Sequence, residues 1–549
     1  MKLSDEIMLD REDARNNPSL WYTSSSNGIV TSAHYKATEA GAQVLAMGGN
    51  AVDAAVATSL ALGVVEPAGS GLGGMGMMMV HLKKEARTFV IEGPCRAPAK
   101  AKPEIYISMA NEYMNHRSME STRENLESAA GIVRKSGYPA IAIPTNPATL
   151  SHALKNYGSM NLEQIMAPAI SLAENGYLIT PFQNKLMTEY RSQVRKGNAA
   201  SLLFGGSDDV PKSGTLVKNP SLAKTLKHLS RHGLEDFYNG AIGKEIVEDM
   251  RLNNGFITAD DMANIPWPRE SRPINGNFKD WKIMSTPPPG GGTTLIQMLN
   301  LFEAMTRDNF DPDTPEAAVL FASIINKARI DRRDSFKKAH DKSENLSSGT
   351  YASQTADRLR ANLSGEGETT HFNAIDRYGN VVSMTQSIER SFGSKIATPG
   401  LGFLYNGFMK AFKLRNKKHP HYLKPGAVAR SNASPTIVFK DKKPIFAIGS
   451  TGSERIASSM FQVLTRLLNQ SPFEAVKAPR LHCTPERQVF LEAERFSTDT
   501  ISLLKKHGFE INPYDAWSFS VGGLHLAGTN DNKCWGVAEP RRDGAAAGY

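Results

Sequence analysis

Two adjacent threonines, Thr369 and Thr370, stand between a loop-like run, Gly365-Glu366-Gly367-Glu368, and an alternating segment, HFNAID, that predicts a strand. A threonine hydroxyl is a weak nucleophile until a base lies beside it. One source of that base is the residue's own α-amine, freed when the chain is cut in front of it. A free α-amine titrates at about 7.7 to 8.0, so it can take and return a proton near neutral pH, which an internal amide cannot do. The Gly365–Gly367 run supplies accessible backbone upstream of such a cut. Downstream, HFNAID, RYGN and VVSMTQS predict a hairpin centred on Tyr378, in which Ile375 faces Val381 and Thr369 faces Ser387. That register brings two hydroxyls together. A Thr-Thr pair also suits the first positions of an ordinary strand, where β-branched residues are favoured.

A second candidate lies in IGSTGSERIASSMFQVLTRLL. A strand is predicted to end in Gly449–Ser453, and a helix follows with Ile456, Met460, Phe461, Leu464, Leu467 and Leu468 on one side. Backbone N–H groups at a helix start have no intrahelical acceptor, so those of Gly452 and Ser453 can hold a developing oxyanion. The same residues also read as a Ser/Thr helix cap.

These groups need a sheet to carry them and helices to cover it. From His34 to Val65 the sequence predicts two Ala-rich helices broken by Gly48 and Gly49, the second apolar almost all round and therefore buried. GSGLGGMG leads into a strand candidate, MMMVHLK, and residues 100 to 260 are mostly helical in pattern. PPPGGG sets a loop against a helix with Leu295, Met298, Leu299 and Phe302 on one stripe. From Asp341 to Gly367 the residues turn polar, which marks a boundary or an exposed segment. Two more hairpins are predicted, PTIVFK/DKK/PIFAIGS and GGLHLAG/TNDNK/CWGVAEP. No flexible linker separates the helix-rich early part from the strand-rich late part, so both are expected to share one sheet-containing unit.

Composition narrows the class. A chain of 549 residues with 40% hydrophobic and 22% charged content is that of an ordinary globular protein, not a disordered or fibrous one. It has no apolar run long enough for a membrane span, and its first residues are too charged for a signal peptide. Cys95, Cys483 and Cys534 are far apart and lack metal-ligand spacing, which fits a reducing cytoplasm. The net charge of +9 has one local excess, Lys410–Lys424, without the aromatics of a nucleic-acid binder. Gly69-Ser70-Gly71-Leu72-Gly73-Gly74 satisfies GxGxxG, but the order is helix, glycines, strand. It therefore reads as a turn where backbone passes close to backbone. PPPGGGTT lacks the lysine of a phosphate loop, and HExxH and GxSxG are absent.

Several stretches in a fixed order, GGNAVDAAVA with EPAGSGLGGMG, CRAPA, PPPGGGTTLIQMLN, TTHFNAIDRYGN, SFGS, ASPTIVF, GSTGSERI and AEPRRDGAAAGY, resemble the γ-glutamyltransferase family. They run from about Gly28 to Tyr549, and members of that family look like N-terminal nucleophile hydrolases cut from one precursor. The resemblance implies an α+β fold, a four-layer αββα sandwich built from segments 1–368 and 369–549 that stay associated. It implies that Thr369 breaks the Glu368–Thr369 bond and then attacks an amide to form an acyl-enzyme. Ser387 matches an assisting hydroxyl, Gly452 and Ser453 the two oxyanion donors, and Ser431 and Asn432 a Ser-Ser pair that grips the glutamyl carboxylate.

Two substrate-binding positions depart from the family pattern. The arginine of an RExAP-type run is displaced by two positions in Pro94-Cys95-Arg96-Ala97-Pro98, so Arg96 is expected to serve instead. The segment that opens at Asn406, an expected substrate contact, has Ala411 where the family has its acid, with Lys410 beside it. Glu389, at a family Asn position, is the compensating acid for a substrate ammonium. The expectation is therefore an amide hydrolase or acyltransferase for a small substrate with an anionic acyl group, favoured by the basic Lys410–Lys424 loop. One alternative is true γ-glutamyl transfer or glutathione hydrolysis; the other is an unprocessed binding protein with the same fold. No cofactor, metal, nucleic acid or membrane partner is expected, and a homo-oligomer is left open.

Overall fold

The hairpin after Thr369 lies at the centre of a seven-stranded antiparallel sheet. Thr370–Asp376 pairs with Val381–Ser387 in the expected register, Thr370 opposite Gln386 and Ile375 opposite Val381. Asp376 Oδ1 closes the turn by accepting the N–H groups of Tyr378 and Asn380, each at 2.9 Å. Its Oδ2 accepts the Ala51 N–H at 3.0 Å, which ties the hairpin to the start of helix Ala51–Val65. The computed structural model describes residues 15, 17–205, 207, 209–306, 310–335, 346–348, 369–530 and 533–549. Glu368 and most of the polar stretch between Asp341 and Gly367 lie outside the described residues.

Across this sheet the strands run Ala545–Gly548, Gly28–Ser32, the hairpin, Met75–Leu82, Arg87–Gly93 and Arg269–Ser271. A second seven-stranded antiparallel sheet runs Tyr22–Ser25, Lys533–Val537, Leu524–Asn530, Lys443–Ser450, Thr436–Lys440, Trp281–Ser285 and Ile274–Phe278. Each sheet takes strands from before and after residue 369.

Side chains alternate between the faces of a strand, and this alternation builds the layers. Phe372, Ala374, Val382 and Met384 face outward onto helix Ala51–Val65. That helix is buried at every residue except Gly63 and starts on an Asn50–Asp53 capping box. Ile375 and Val381 face inward and meet Ile437, Phe439, Ala447 and Ala527 between the sheets. Val438, Ile448, Leu526 and Val537 face outward on the second sheet, under helices Gly292–Met305, Pro315–Ser335 and Arg455–Arg466. The protein is thus an α+β, four-layer αββα sandwich, as expected.

Some local expectations change. Helix Gly292–Met305 is buried over nearly its whole circumference and not along one stripe, because it is wedged between the second sheet and helix Pro315–Ser335. Helix Arg455–Arg466 is likewise buried at every residue; strand Leu481–Cys483 covers a side that faces away from the sheet. The DKK loop is a two-residue turn, Asp441-Lys442, with both residues in the left-handed region, and Lys443 already belongs to the strand. Among the described residues no helix is long and apolar enough to cross a membrane.

Near Thr369 the layer between the sheets turns polar. His371 Nδ1 lies 2.9 Å from Thr385 Oγ1, and its Nε2 lies 3.0 Å from Asn373 Oδ1. Asn373 Nδ2 donates to Thr31 Oγ1 at 3.3 Å and to the His525 carbonyl at 3.1 Å. Burial holds the imidazoles of His371 and His525 neutral, each down at about 3. The facing strand admits the His371 ring only because residue 449 is glycine: a Cβ there would stand 2.1 Å from the imidazole.

The C-terminal AEPRRDG segment buries an ionic network. Glu539 accepts from Arg480 at 2.5 Å, from Arg541 Nη1 at 2.9 Å and from the Leu524 N–H at 2.9 Å. Glu492 accepts from Arg541 Nε at 2.9 Å and Nη2 at 2.7 Å. Burial alone would raise the Glu539 carboxyl, but Arg480 and Arg541 hold it at about 2.

These shifts set the pH dependence of stability. Unfolding releases imidazoles from about 3 to their ordinary 6.5, and the Glu539 carboxyl from about 2 to 4.5. In both cases the unfolded chain binds more protons as pH falls, so the contribution of these three groups to stability is complete above about 6.5 and is lost progressively below it. Urea midpoints at pH 8, 6 and 4 should therefore fall in that order; a flat profile would contradict this reading. Glu539→Gln leaves buried guanidinium charge uncompensated and should cost about 3 kcal/mol or more at pH 8. Gly449→Ala should cost about 1 to 3 kcal/mol through overpacking against His371, read in the same assay.

Candidate active site

Thr369 sits at the start of the Thr370–Ser387 hairpin, 5% exposed. Its Oγ1 lies 3.3 Å from Ser387 Oγ across the two strands, as the register requires. Ser387 Oγ also accepts the Glu389 N–H at 2.9 Å, which fixes the serine beside the threonine. Glu389 adopts φ +79°, the left-handed region that few L-residues occupy, and so turns the chain sharply after the strand. The glycine run 69–74 braces this turn from below. Ile388 N–H donates to the Gly69 carbonyl at 3.2 Å and Phe392 N–H to the Ala68 carbonyl at 2.8 Å. A Cβ on Gly74 would stand 2.4 Å from the Ser387 carbonyl, and one on Gly73 would stand 2.2 Å from that of Leu404. The GxGxxG match is thus a place where backbone passes close to backbone.

Strand Lys443–Ser450 leads into two left-handed residues, Gly452 at φ +96° and Ser453 at φ +53°. Their carbonyls accept from Arg455 N–H at 3.0 Å and Ile456 N–H at 3.2 Å, starting the next helix. Among the described residues neither the Gly452 nor the Ser453 N–H is taken up by another acceptor. The cap alternative is not realised, since this helix start has no side-chain cap hydrogen bond. A serine in the left-handed region costs about 1 to 2 kcal/mol. Asn432 Nδ2, 3.3 Å from Ser453 Oγ, offsets part of that cost.

Ser431 and Asn432 lie on a loop held from behind. Arg332 Nη2 donates to the Ser431 carbonyl at 2.9 Å and its Nη1 to Thr294 Oγ1 at 3.1 Å. Burial, reinforced by Arg430 and Arg329, lowers the Arg332 guanidinium to about 9. Gly291 N–H donates to the Ala433 carbonyl at 2.9 Å, and a Cβ on Gly291 would stand 2.6 Å from the Asn432 carbonyl. PPPGGG is therefore the brace of this loop. Ser431 Oγ accepts the Ala433 N–H at 3.0 Å, and its hydroxyl retains a proton to donate.

Thr369, Ser387, Glu389, Ser431, Asn432 and Ser453 border one cleft, joined by Lys410, Ala411, Lys413, Arg430 and Glu454. Arg96 and Asn406, both expected to bind substrate, are not among its walls. Arg96 bridges the backbones of Ile143 and Val428, and its guanidinium donates to the Gly426 carbonyl at 3.3 Å. Asn406 is fully buried. Its Nδ2 donates to the Gly73 and Ala142 carbonyls at 2.8 Å each, and its Oδ1 accepts from Ala142 N–H and Phe408 N–H at 3.1 Å each. Its bonding capacity is spent on holding the Phe408–Ala411 turn.

Charge in the cleft is mostly positive. Burial would raise the Glu454 carboxyl, but Arg329 and Arg430 bring it to about 2, and Arg329 forms a close ion pair with it. Burial raises the Glu389 carboxyl above the usual range against the opposing pull of Arg390, Lys410, Lys395 and Arg430. Its Oε2 has no hydrogen-bond partner among the described residues. Sequence reasoning missed Arg332, which lies far from Ser431 along the chain, and Arg430, which adjoins Ser431 and was readable from that adjacency. Two facing hydroxyls, Ser453 on the cleft wall with an unengaged N–H, and donors for an anion can together support nucleophilic attack on an amide carbonyl, while Gly452, whose N–H is also unengaged, adjoins Ser453 without bordering the cleft.

Comparison with known proteins identifies the family. The family model for Gamma-glutamyltranspeptidase matches residues 37–549. A glutathione hydrolase proenzyme of Bacillus subtilis is 30% identical, over 95% of this chain and 91% of that protein. The Acylase ACY 1 proenzyme of Pseudomonas sp. strain V22 is 33% identical, over 83% and 82% of the two chains. The crystal structure of cephalosporin acylase from Bacillus halodurans superposes with a TM-score of 0.84 at 25% identity, covering 96% of this chain and 97% of that one. With this match from residue 37 to the last, on a sandwich of this architecture, the chain belongs to the gamma-glutamyltranspeptidase family of N-terminal nucleophile hydrolases.

Proposed function

We propose that the protein is a self-processing amidohydrolase or acyltransferase in which Thr369, made N-terminal by cleavage after Glu368, attacks the amide of an anionic acyl group. The observation that carries this reading is the 3.3 Å approach of Thr369 Oγ1 to Ser387 Oγ on the wall of a cleft. In the proposed reaction the freed α-amine takes the Oγ1 proton as Oγ1 bonds to the carbonyl carbon. The N–H groups of Gly452 and Ser453 receive the negative charge that develops on oxygen. When the C–N bond breaks, the α-ammonium returns the proton to the departing amine, leaving an ester on Thr369. Water or an acceptor amine then attacks that ester by the reverse sequence. Lys410, Lys413 and Arg430 favour an anionic acyl group.

Relatives named as proenzymes support the processing step. Both sheets draw strands from the two sides of residue 369, so segments 1–368 and 369–549 would remain one folded body after the cut. A second reading, γ-glutamyl transfer or glutathione hydrolysis, is favoured by the unpartnered Glu389 Oε2, which could receive a substrate ammonium.

Mature wild-type protein of 59.9 kDa should resolve on a denaturing gel into fragments of roughly 40 and 20 kDa. The smaller should begin Thr-Thr-His on Edman degradation, and Thr369→Ala should leave one intact band. Robust amide turnover by an uncut chain would overturn the proposal. Release of p-nitroaniline from a γ-glutamyl anilide, accelerated by a dipeptide acceptor, would select the second reading.

A further inference from the structure

Arg430 is unlike the other arginines around the cleft. Arg332 spends its donors on the Ser431 carbonyl and Thr294, and Arg329 is in close contact with Glu454. Arg430 borders the cleft itself with its side chain 37% exposed, and among the described residues it makes no hydrogen bond. The nearest carboxylate, Glu454, stands 3.9 Å away and is already engaged by Arg329. Lys413 is the second such group. It borders the same cleft and has neither an ion pair nor a side-chain hydrogen bond among the described residues.

The surrounding groups carry the imprint of this cation, which Glu454 compensates only in part. Burial comes first in lowering Lys413, His419 and His421, the last to about 4, and in each case the Arg430 charge lowers it further. A planar guanidinium whose donors make no hydrogen bond among the described residues, with a second cation beside it, matches the geometry and charge of a carboxylate.

We propose that Arg430, with Lys413 at the rim, is the carboxylate-binding pair that selects the acyl group, so that the preferred substrates are half-amides of dicarboxylic acids. This rests on the anionic-acyl reading given above. It assigns the role to residues outside the displaced CRAPA arginine, since Arg96 is engaged at Gly426 away from the cleft. Glu389, Glu454, Lys410 and Arg390 complete the charged surroundings, and Arg332 and Arg134 lie behind the wall.

The test uses processed enzyme with three anilides: glutaryl-p-nitroanilide, its neutral counterpart pentanoyl-p-nitroanilide, and a pentanoyl anilide carrying a carboxylate on the leaving group. Wild type should prefer the glutaryl compound. Arg430→Gln should lower kcat/KM for that compound by about tenfold or more, chiefly through KM. Lys413→Gln should act in the same direction and less strongly. Both variants should lower pentanoyl turnover less than glutaryl turnover, so that the glutaryl-to-pentanoyl ratio of kcat/KM falls about tenfold or more in Arg430→Gln. Arg96→Gln should keep the glutaryl preference.

Calorimetric titration with glutarate and with pentanoate reads the same pair without turnover. Glutarate should bind more tightly than pentanoate, and the difference should vanish in Arg430→Gln. Retention of the preference in Arg430→Gln and Lys413→Gln overturns the assignment while leaving the anionic-acyl reading intact. Wild type that does not distinguish glutaryl from pentanoyl, or glutarate from pentanoate, overturns both. Loss confined to the compound with the leaving-group carboxylate overturns the acyl-side placement.

Discussion

The site depends on strand register. Thr369 and Ser387 meet because the turn at 377–380 pairs Ile375 with Val381, and every later pair follows from that one. A slip of one residue would send Thr369 to the outer face, where Phe372 and Met384 pack on helix Ala51–Val65, and would push those apolar groups between the sheets. The register is fixed at the far end by Asp376, whose carboxylate both closes the turn and caps the buried helix. A hydroxyl pair at one end of the hairpin is therefore positioned by an acid at the other.

The same hairpin explains why the layer between the sheets has two halves. Ile375 and Val381 meet an apolar layer, whereas His371, Asn373 and Thr385 form a hydrogen-bonded row leading toward Thr369. Buried polar groups that satisfy one another specify geometry, because any displacement leaves a donor or acceptor stranded. Gly449 is the complement of this row on the opposite sheet. The cleft walls follow a related rule: Gly73, Gly74 and Gly291 let backbone segments approach where a Cβ would collide.

The sequence revealed most where the relevant contacts are local. The hairpin register, the buried Ala51–Val65 helix and the glycine turn could be read from alternation, helical period and element order, because neighbours along the chain decide them. The four-layer architecture came from resemblance, since alternation cannot say which sheet a strand will join. The apolar side of helix Arg455–Arg466 was readable, and Ile456, Met460, Phe461 and Leu464 do enter one core, but the cover that strand Leu481–Cys483 gives the rest of the helix is announced by no local pattern. Arg96 and Asn406 were residues of a plausible type in a plausible run, yet one bonds Gly426 and the other is saturated by Gly73, Ala142 and Phe408. Arg332 carries no signal of its own, because its role exists only once a distant helix is packed behind Ser431.

An edge strand of the sheet that holds the Thr369 hairpin, Ala545–Gly548, lies against Gly28–Ser32, with Ala545 opposite Ser32 and Gly548 opposite Ile29. That pairing joins regions almost a full chain length apart, and contacts of such separation form late in folding. The sheet around Thr369 therefore lacks this edge until residues 545–548 dock on residues 29–32. The hairpin that carries Thr369 thus sits in a finished sheet only once two segments more than 500 residues apart have met.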